Sequence, residues 1–371
     1  MNMKKIIDVN AHLHTPYSFS AFTDVRQALD MAAAEDVRIV GINDFYSMDG
    51  YREWNDECAT RHLYPMFNIE FISLNSEDQA AGLRVNDPNN PGRTYLSGKG
   101  LAYPVILSGK EAQMLADVRA ESNAQVERMC AKLNAHLDAV KAGFSIDFKQ
   151  VVKDLTRGSV RERHLAKALR MAVDAAGNAG DRLALYERIF GGQPLKSAIE
   201  NDAAVENEIR SKLLKSGGAA FVPEDPKAFL PMETVCRIIE AAGGIPTYPF
   251  LADDAKGNFT DFEGDLQKAA DTLKKRGFKS VEFITTRNTT AVLEKYTDYL
   301  QDEGFIVTFG SEHNTPALEP IRLRTRDNAE GLSEKLRLTN YRGACAVAAH
   351  QAGLDSVEAG DELLQKTVFG I

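Results

Sequence analysis

Short apolar runs rich in β-branched residues recur along the chain and alternate with segments of helical periodicity. Seven runs predict strands, at residues 6–9, 38–42, 65–72, 103–107, 244–248, 281–284 and 305–309. Helical periodicity follows most of them, at residues 25–34, 232–242, 266–275 and 290–300, and glycines end the last three helices. A repeated order of strand and helix predicts a parallel sheet in an α/β protein.

The middle of the chain interrupts this alternation, because residues 111–215 have an almost entirely helical pattern. One apolar stripe there consists of Val126, Met129, Cys130, Leu133, Leu137 and Val140. We therefore predict that residues 1–110 and 216–325 form an α/β barrel, that 111–215 is a helical insertion, and that 326–371 is a helical tail. Barrel active sites lie at the carboxyl ends of the strands, so the insertion would cover that face.

Composition excludes several classes of protein. The chain has 371 residues, 44% of them hydrophobic, which is enough for a barrel with additions. A net charge of −9 disfavours long nucleic acids as partners. The four cysteines form no CxxC pair, and no apolar stretch approaches the length of a signal peptide or a membrane span. We expect a cytoplasmic protein with reduced thiols.

The first candidate site follows the first predicted strand, where the sequence reads His12-Leu13-His14. Residues two apart on a strand point to the same face, so both imidazoles could bind one metal ion. Two histidines in a polar loop would give the same pattern. The motif alone therefore leaves both interpretations open.

Ionisable residues also end other predicted strands. They are Asp44 after the second strand, Glu70 near the end of the third, and Glu312 and His313 after the last. Each has a structural alternative: Asp44 could cap a helix, Glu70 could pair with an arginine, and Glu312 could cap a turn. Their recurrence at strand ends that meet in a barrel favours a shared site.

The order of these motifs resembles the polymerase-and-histidinol-phosphatase (PHP) family of metal-dependent phosphoesterases. The matching segments read HLHT at 12–15 with Ser18, GIND at 41–44, NIE at 68–70, VRERHLAKAL at 160–169, GGIPTYP at 243–249 and GSE at 310–312. The resemblance implies a TIM-like, distorted (β/α)7 barrel with a helical insertion. It also implies that His12, His14, Glu70 and Glu312 bind the first metal of the family's centre.

Several family ligands are replaced. Phe45, Tyr95, Tyr248 and Asn314 stand where the resemblance leads us to expect histidine. The residues lost belong mainly to the second and third metals, so we expect one divalent ion, Zn²⁺, Mn²⁺ or Fe²⁺, or at most two.

The expected chemistry is hydrolysis by a water that the metal activates. We expect Asp44 or His313 to act as the acid or base. The resemblance places His164 near the substrate. Fewer metals leave more phosphate charge for the protein to offset, so we expect substrate contacts from basic side chains and one tyrosine. These candidates are Lys99, Arg161, Arg163, Tyr248 and Arg287.

Three functions remain open from the sequence. The leading hypothesis is a phosphoesterase for a small phosphorylated molecule such as a nucleotide or a sugar phosphate. The second is a barrel that binds a ligand after losing catalysis, which the lost histidines favour. The third is a metal-dependent hydrolase of C–O or C–N bonds, because one metal also serves such substrates.

Overall fold

The computed structural model describes residues 5–370, and within them seven strands form one sheet in chain order. The strands are β1 (Asp8–Leu13), β2 (Val37–Phe45), β3 (Tyr64–Leu74), β4 (Arg93–Lys99), β5 (Ile245–Phe250), β6 (Ser280–Ile284) and β7 (Ile306–Gly310). Neighbours pair in parallel, except that β4 is antiparallel to both β3 and β5.

The sheet curls into a nearly closed barrel, because its last strand returns to its first. A parallel bridge joins Leu13 to Glu312 beyond the end of β7. His14 N donates to Glu312 O at 2.8 Å, and Glu312 N donates to His12 O at 3.0 Å. The fold is thus the TIM-like α/β barrel that the sequence predicts.

Helices cover the barrel and form the middle of the chain. They are α1 (Val25–Ala34), α2 (Tyr51–Thr60), α3 (Ser76–Ala80), α4 (Gly109–Ala139), α5 (Phe148–Leu155), α6 (Glu162–Asp174), α7 (Ala179–Ile189), α8 (Asp202–Ile209), α9 (Met232–Ala241), α10 (Leu266–Lys275), α11 (Thr290–Asp302), α12 (Glu334–Gln351) and α13 (Val357–Phe369). A π-helical turn, Arg210–Leu214, continues α8. Among the helices of residues 5–370, none is long and apolar enough to cross a bilayer.

The prediction of a strand at residues 103–107 is wrong. The fourth strand of the sheet is β4, which ends before residue 103. Tyr103, Val105 and Leu107 pack on the barrel core while Ile106 is exposed, so their alternation imitates a strand without any ladder partner. In β4, Gly98 and Lys99 interrupt the apolar pattern. Lys99 is nevertheless fully buried, because it is paired inside the barrel.

The reversed direction of β4 explains the length of α4. β4 ends beside the start of β5, at the barrel end opposite the carboxyl ends of the parallel strands. Helix α4 has 31 residues, which makes it about 46 Å long. Its Leu115 and Val118 pack in the barrel core, whereas Val126 and the apolar residues after it pack in a second core. The helix therefore connects both cores.

The second core lies among α4 to α8. Its buried residues include Leu133, Val151, Leu169, Tyr186 and Ile209, one from each helix. Residues 111–215 thus bury their own apolar surface in addition to contacting the barrel.

Helix α12 packs on the outside of the barrel beside β1 and β7, and α13 packs against α12 and β3. Gly343 in α12 lies against the strand backbone, since a Cβ atom there would be 1.8 Å from Val307 O. Only glycine permits so close an approach.

Candidate metal centre

Three buried side chains converge at the carboxyl end of β1. His12 lies on β1, His14 lies just beyond it, and Glu70 lies on β3. His12 Nε2 is 3.3 Å from His14 Nε2, and Glu70 Oε2 is 3.1 Å from His14 Nε2 and 3.5 Å from His12 Nε2. Each residue therefore presents one ligand atom to a common point.

Local sequence produces this convergence. His12 and His14 are two residues apart, so Leu13 between them faces the apolar core while both rings face the barrel interior. Gly310 on β7 makes room for them, because a Cβ atom there would lie 2.1 Å from His12 Cβ.

The three residues fit a divalent metal ion. Glu70 Oε2 is buried but has no hydrogen-bond partner of acceptable geometry among residues 5–370. Metal bonds of about 2.1 Å in a tetrahedron place neighbouring ligand atoms about 3.4 Å apart. The observed separations of 3.1 to 3.5 Å agree with that value. Two imidazoles and one carboxylate are also a common donor set for Zn²⁺, Mn²⁺ or Fe²⁺.

The electrostatics of the cluster also favour a cation. Burial lowers the pKa of His12, but the Glu282 and Glu70 carboxylates outweigh burial and raise it to about 9. Burial raises the pKa of Glu70, but the two imidazoles outweigh burial and bring it down to about 2. The carboxylate oxygens that favour a proton on His12 would also attract a metal cation. A divalent cation would replace that proton.

Glu282 is a buried carboxylate that the sequence analysis missed. It lies on β6 and accepts a hydrogen bond from His12 Nδ1 at 3.1 Å and from Lys99 Nζ at 2.6 Å. Ser97 Oγ donates to its other oxygen. The available signal was one acidic residue between Val281 and Phe283 in an otherwise apolar strand, since a buried charge requires a partner.

Asn43 on β2 contacts the same group of residues. Its Nδ2 lies 2.9 Å from His12 Nε2 and donates to Ser97 Oγ at 3.2 Å. A neutral amide thus lies beside the His12 ring, between it and Ser97.

The expected substrate contacts of Lys99 and Tyr248 are corrected, because both side chains are fully buried. Lys99 Nζ is bonded to Glu282 and to Ala11 O, the latter at 3.0 Å. Tyr248 donates its hydroxyl to Glu263 at 2.7 Å and packs on Phe250 on the helix side of the sheet. Neither can reach a bound substrate.

Asp44 also lies elsewhere than expected. Its carboxylate accepts hydrogen bonds from Thr15 N at 2.7 Å, Thr15 Oγ1 at 2.5 Å and Ser18 Oγ at 2.5 Å. Ser18 Oγ lies 3.4 Å from His14 Nδ1. Asp44 is therefore bonded behind His14, where it holds residues 15–18. Its expected role as an acid or base stays a prediction.

The two histidines expected to take part in catalysis are engaged in local structure. His313 bonds through Nδ1 to Ser311 Oγ and through Nε2 to Glu319 O, both at 2.8 Å. His164 Nδ1 accepts from Arg161 N at 2.9 Å and caps α6. Burial lowers the pKa of His164 to about 4. The catalytic roles expected of both histidines stay predictions.

Glu312 approaches the cluster through its backbone but not through its carboxylate. Its two oxygens accept from Arg287 Nη2 at 2.8 Å, and one accepts from Asn314 Nδ2 at 2.7 Å. Glu312 and His313 both have left-handed backbone conformations, with φ of 65° and 57°. The expected fourth metal ligand therefore forms an ion pair at the cleft wall.

A cleft of about 880 Å³ opens above Glu70, between the barrel and the insertion. Its lining includes Phe19, Phe45, Glu70, Tyr95, Arg161, Arg163, Leu214, Arg287 and Glu312. Of the five residues expected to contact substrate, Arg161, Arg163 and Arg287 thus line the same cleft as Glu70, a residue of the candidate metal centre.

Arg161 and Arg163 differ from the other arginines of the cleft. Neither forms an ion pair with a carboxylate within residues 5–370, whereas Arg287 pairs with Glu312. The Arg161 guanidinium lies 4.9 Å from the Phe45 ring centre, and that of Arg163 lies 5.2 Å from Phe19. These aromatic contacts hold both cations without neutralising them.

Phe45 fills the space beside His14. Its ring stacks on the imidazole with centres 5.0 Å apart and planes 15° apart. Since Arg161 also contacts Phe45, an aromatic ring and a cation adjoin His14 where the resemblance placed another histidine.

Comparisons with known proteins show the fold. The sequence matches no family model and no curated protein. A solved structure from Bifidobacterium adolescentis, of a protein proposed to be a metal-dependent phosphoesterase, is similar over 90% of this chain and 96% of its own, with a TM-score of 0.58 and 15% identity. An amidohydrolase from Chromobacterium violaceum, solved with bound sulfate and no metal, matches over 85% and 93%, with a TM-score of 0.54 and 16% identity.

Proposed function

We propose that the protein is a metal-dependent hydrolase that cleaves a phosphoester of a small molecule, such as a nucleotide or a sugar phosphate. The observation that carries this proposal is the convergence of His12, His14 and Glu70 beside a cleft with two arginines that no carboxylate of residues 5–370 pairs with. A metal-binding cluster and a cationic subsite in one cavity suit an anionic substrate.

The metal ion would be held by His12 Nε2, His14 Nε2 and Glu70 Oε2. Bound there, it would polarise a substrate oxygen and lower the pKa of a water to about 7. The low exposure of all three side chains keeps bulk water away from the ligand atoms, which strengthens their interaction with a cation.

Arg161 and Arg163 would bind the phosphate. Their guanidinium groups offer several N–H donors in a plane, which match two phosphate oxygens at once. Arg287 contributes less net charge, because Glu312 neutralises it.

One ion fits the site better than two. Phe45 stacks on His14, and Arg161 contacts Phe45, so a second cation beside His14 would meet an aromatic ring and a guanidinium. Lys99 also neutralises Glu282 at 2.6 Å, which leaves Glu70 as the carboxylate available to a metal in this cluster.

Hydrolysis of a C–O or C–N bond is the second candidate. The similarity to an amidohydrolase favours it, and a substrate carboxylate would also fit Arg161 and Arg163. The two candidates require the same metal but different substrates, so one experiment can separate them.

The test is metal content followed by a substrate panel. Elemental analysis of the wild type should give about one divalent ion per chain, and the His12→Ala/His14→Ala variant should lose it. His136→Ala/His350→Ala removes two histidines outside the cleft and should retain the ion. Nucleotides, sugar phosphates, esters and amides are then assayed with the metal-loaded protein.

Phosphoester turnover that disappears in His12→Ala/His14→Ala would support the leading proposal. Turnover of esters or amides alone would favour the second candidate. A wild type that binds no ion after incubation with Zn²⁺, Mn²⁺ and Fe²⁺ would refute both.

A further inference from the structure

We propose that Glu282 is a positioning residue, which orients the His12 imidazole so that Nε2 faces His14 and Glu70. The importance of this role for metal binding rests on the proposed function. The hydrogen bond between His12 and Glu282 does not depend on it.

The geometry at His12 carries the proposal. Nδ1 lies 3.1 Å from Glu282 Oε2, and Nε2 on the other side of the ring lies 3.3 Å from His14 Nε2. A carboxylate can only accept, so Nδ1 carries a proton whether or not Nε2 is protonated. Once that proton is placed, a neutral His12 has its lone pair on Nε2, where a metal ligand requires it.

Glu282 is itself fixed by side chains from a different strand. Lys99 and Ser97, both on β4, hold one oxygen each. Lys99 Nζ also donates to Ala11 O, beside His12 on β1. The carboxylate therefore links three strands, and its position relative to His12 depends on the barrel rather than on a flexible loop.

The charges of this group cancel. Glu282 and Lys99 are both 0% exposed and 2.6 Å apart, so the pair adds almost no net charge to the cluster. Buried ion pairs are costly, and apolar residues often replace them without loss of stability. A pair retained within hydrogen-bond distance of His12 is better explained by orientation of the ring than by stability.

The decisive variant removes both members of the pair. Lys99→Met/Glu282→Leu leaves no unpaired buried charge and deletes the acceptor of His12 Nδ1. Lys99→Met/Glu282→Gln keeps an amide oxygen at the same place and should restore the hydrogen bond. Arg170→Met/Glu206→Leu is the control, because it removes another ion pair, 2.9 Å long, within the insertion. Arg170 also contacts Asp174 and Asp202, but Asp174 keeps its pair with Arg182 and Asp202 is exposed, so neither carboxylate is left buried without a partner.

The first measurement uses metal-free protein with ¹⁵N-labelled histidine. The Nδ1 proton of His12, assigned by its loss in His12→Ala, should resonate downfield as expected for a hydrogen bond to a carboxylate. It should move upfield in the Leu variant, recover in the Gln variant and remain unchanged in the control. An unchanged resonance in the Leu variant would overturn the proposal, and so would failure of the Gln variant, once folded, to recover it.

The second measurement is Co²⁺ binding, followed by visible absorption. Loss of a carboxylate behind a histidine ligand weakens metal binding about 10- to 100-fold. We expect that loss in the Leu variant, with an altered Co²⁺ spectrum, and wild-type values in the control. A wild type that has the downfield proton but binds no Co²⁺ would refute the metal-dependent function and leave the orienting hydrogen bond established.

Discussion

Arginines in the cleft differ in whether a neighbouring carboxylate neutralises their charge. Arg287 is bonded to both oxygens of Glu312, whereas Arg163 contacts Phe19 and donates to Asn207 Oδ1 at 2.9 Å. Burial and the neighbouring Arg210 lower the pKa of Arg163 to about 10. Arg163 is still cationic at neutral pH. An anion bound in the cleft would offset the energetic cost of burying this charge.

Substitution of these arginines should therefore affect substrate binding. A hydrogen bond to a charged group contributes about 1.5–3 kcal/mol, so Arg161→Met or Arg163→Met should raise KM for a phosphoester about 10- to 100-fold. Steady-state kinetics on the metal-loaded enzyme measure this change. Arg287→Met/Glu312→Gln removes a cation and an anion together and should change KM much less. Equal effects in all three variants would contradict the assignment of the phosphate subsite.

The residues of the metal cluster were predictable because strand geometry is local. His12 and His14 share a face through their spacing alone, and Glu70 ends a strand predicted nearby. Lys99 and Glu282 were not predictable as a pair, because they lie on different strands, β4 and β6. Only the closed barrel brings the two side chains together. Local pattern shows that a charged residue is buried, but not which partner balances its charge.

At the scale of elements, the close contact between α12 and β7 depends on a single glycine. A Cβ atom at position 343 would lie 1.8 Å from Val307 O, and a strand carbonyl cannot rotate away as a side chain can. Gly343→Ala should therefore lower the free energy of unfolding by about 1–3 kcal/mol, despite the better helix propensity of alanine. Urea denaturation of the variant and the wild type measures this difference in the free energy of unfolding. Gly180→Ala, at an exposed helical glycine, should be neutral or slightly stabilising.

The stability that the end of α8 contributes depends on pH. Glu208 at the end of α8 accepts from Lys196 N at 3.0 Å and Ser197 N at 2.8 Å, and pairs with Lys212. Partial burial raises its pKa, but these donors outweigh burial and lower it to about 2. Because the unfolded value is about 4.3, the stabilisation is present above that pH and is lost as the pH falls toward 2.

Glu208→Gln should thus destabilise the protein at pH 7, and the difference from wild type should shrink between about pH 4.3 and pH 2. Chemical denaturation at several pH values gives this difference directly. Glu187→Gln, on the exposed side of α7, provides the control. A difference that stays constant with pH would show that the ionised carboxylate does not hold residues 196–197.

At the scale of the whole molecule, one reversed strand determines where the cleft forms. β4 returns the chain to the far end of the barrel, so α4 must run about 46 Å from the barrel core to the second core. The loop before β4, rather than the loop after it, then joins the cleft wall, as Asp87 and Arg93 show. Helical periodicity predicted the helices of this region. It could not predict the reversal, which depends on pairing with strands on both sides.

The seam between β1 and β7 also sets the order in which a growing chain can complete its site. His12 and His14 are synthesised first, but their backbone partner Glu312 follows about 300 residues later. Until then the first strand lacks one neighbour. During translation, a metal site on His12, His14 and Glu70 would therefore reach its final shape only after β7 has joined β1, and a bound metal would mark a barrel whose two ends have met.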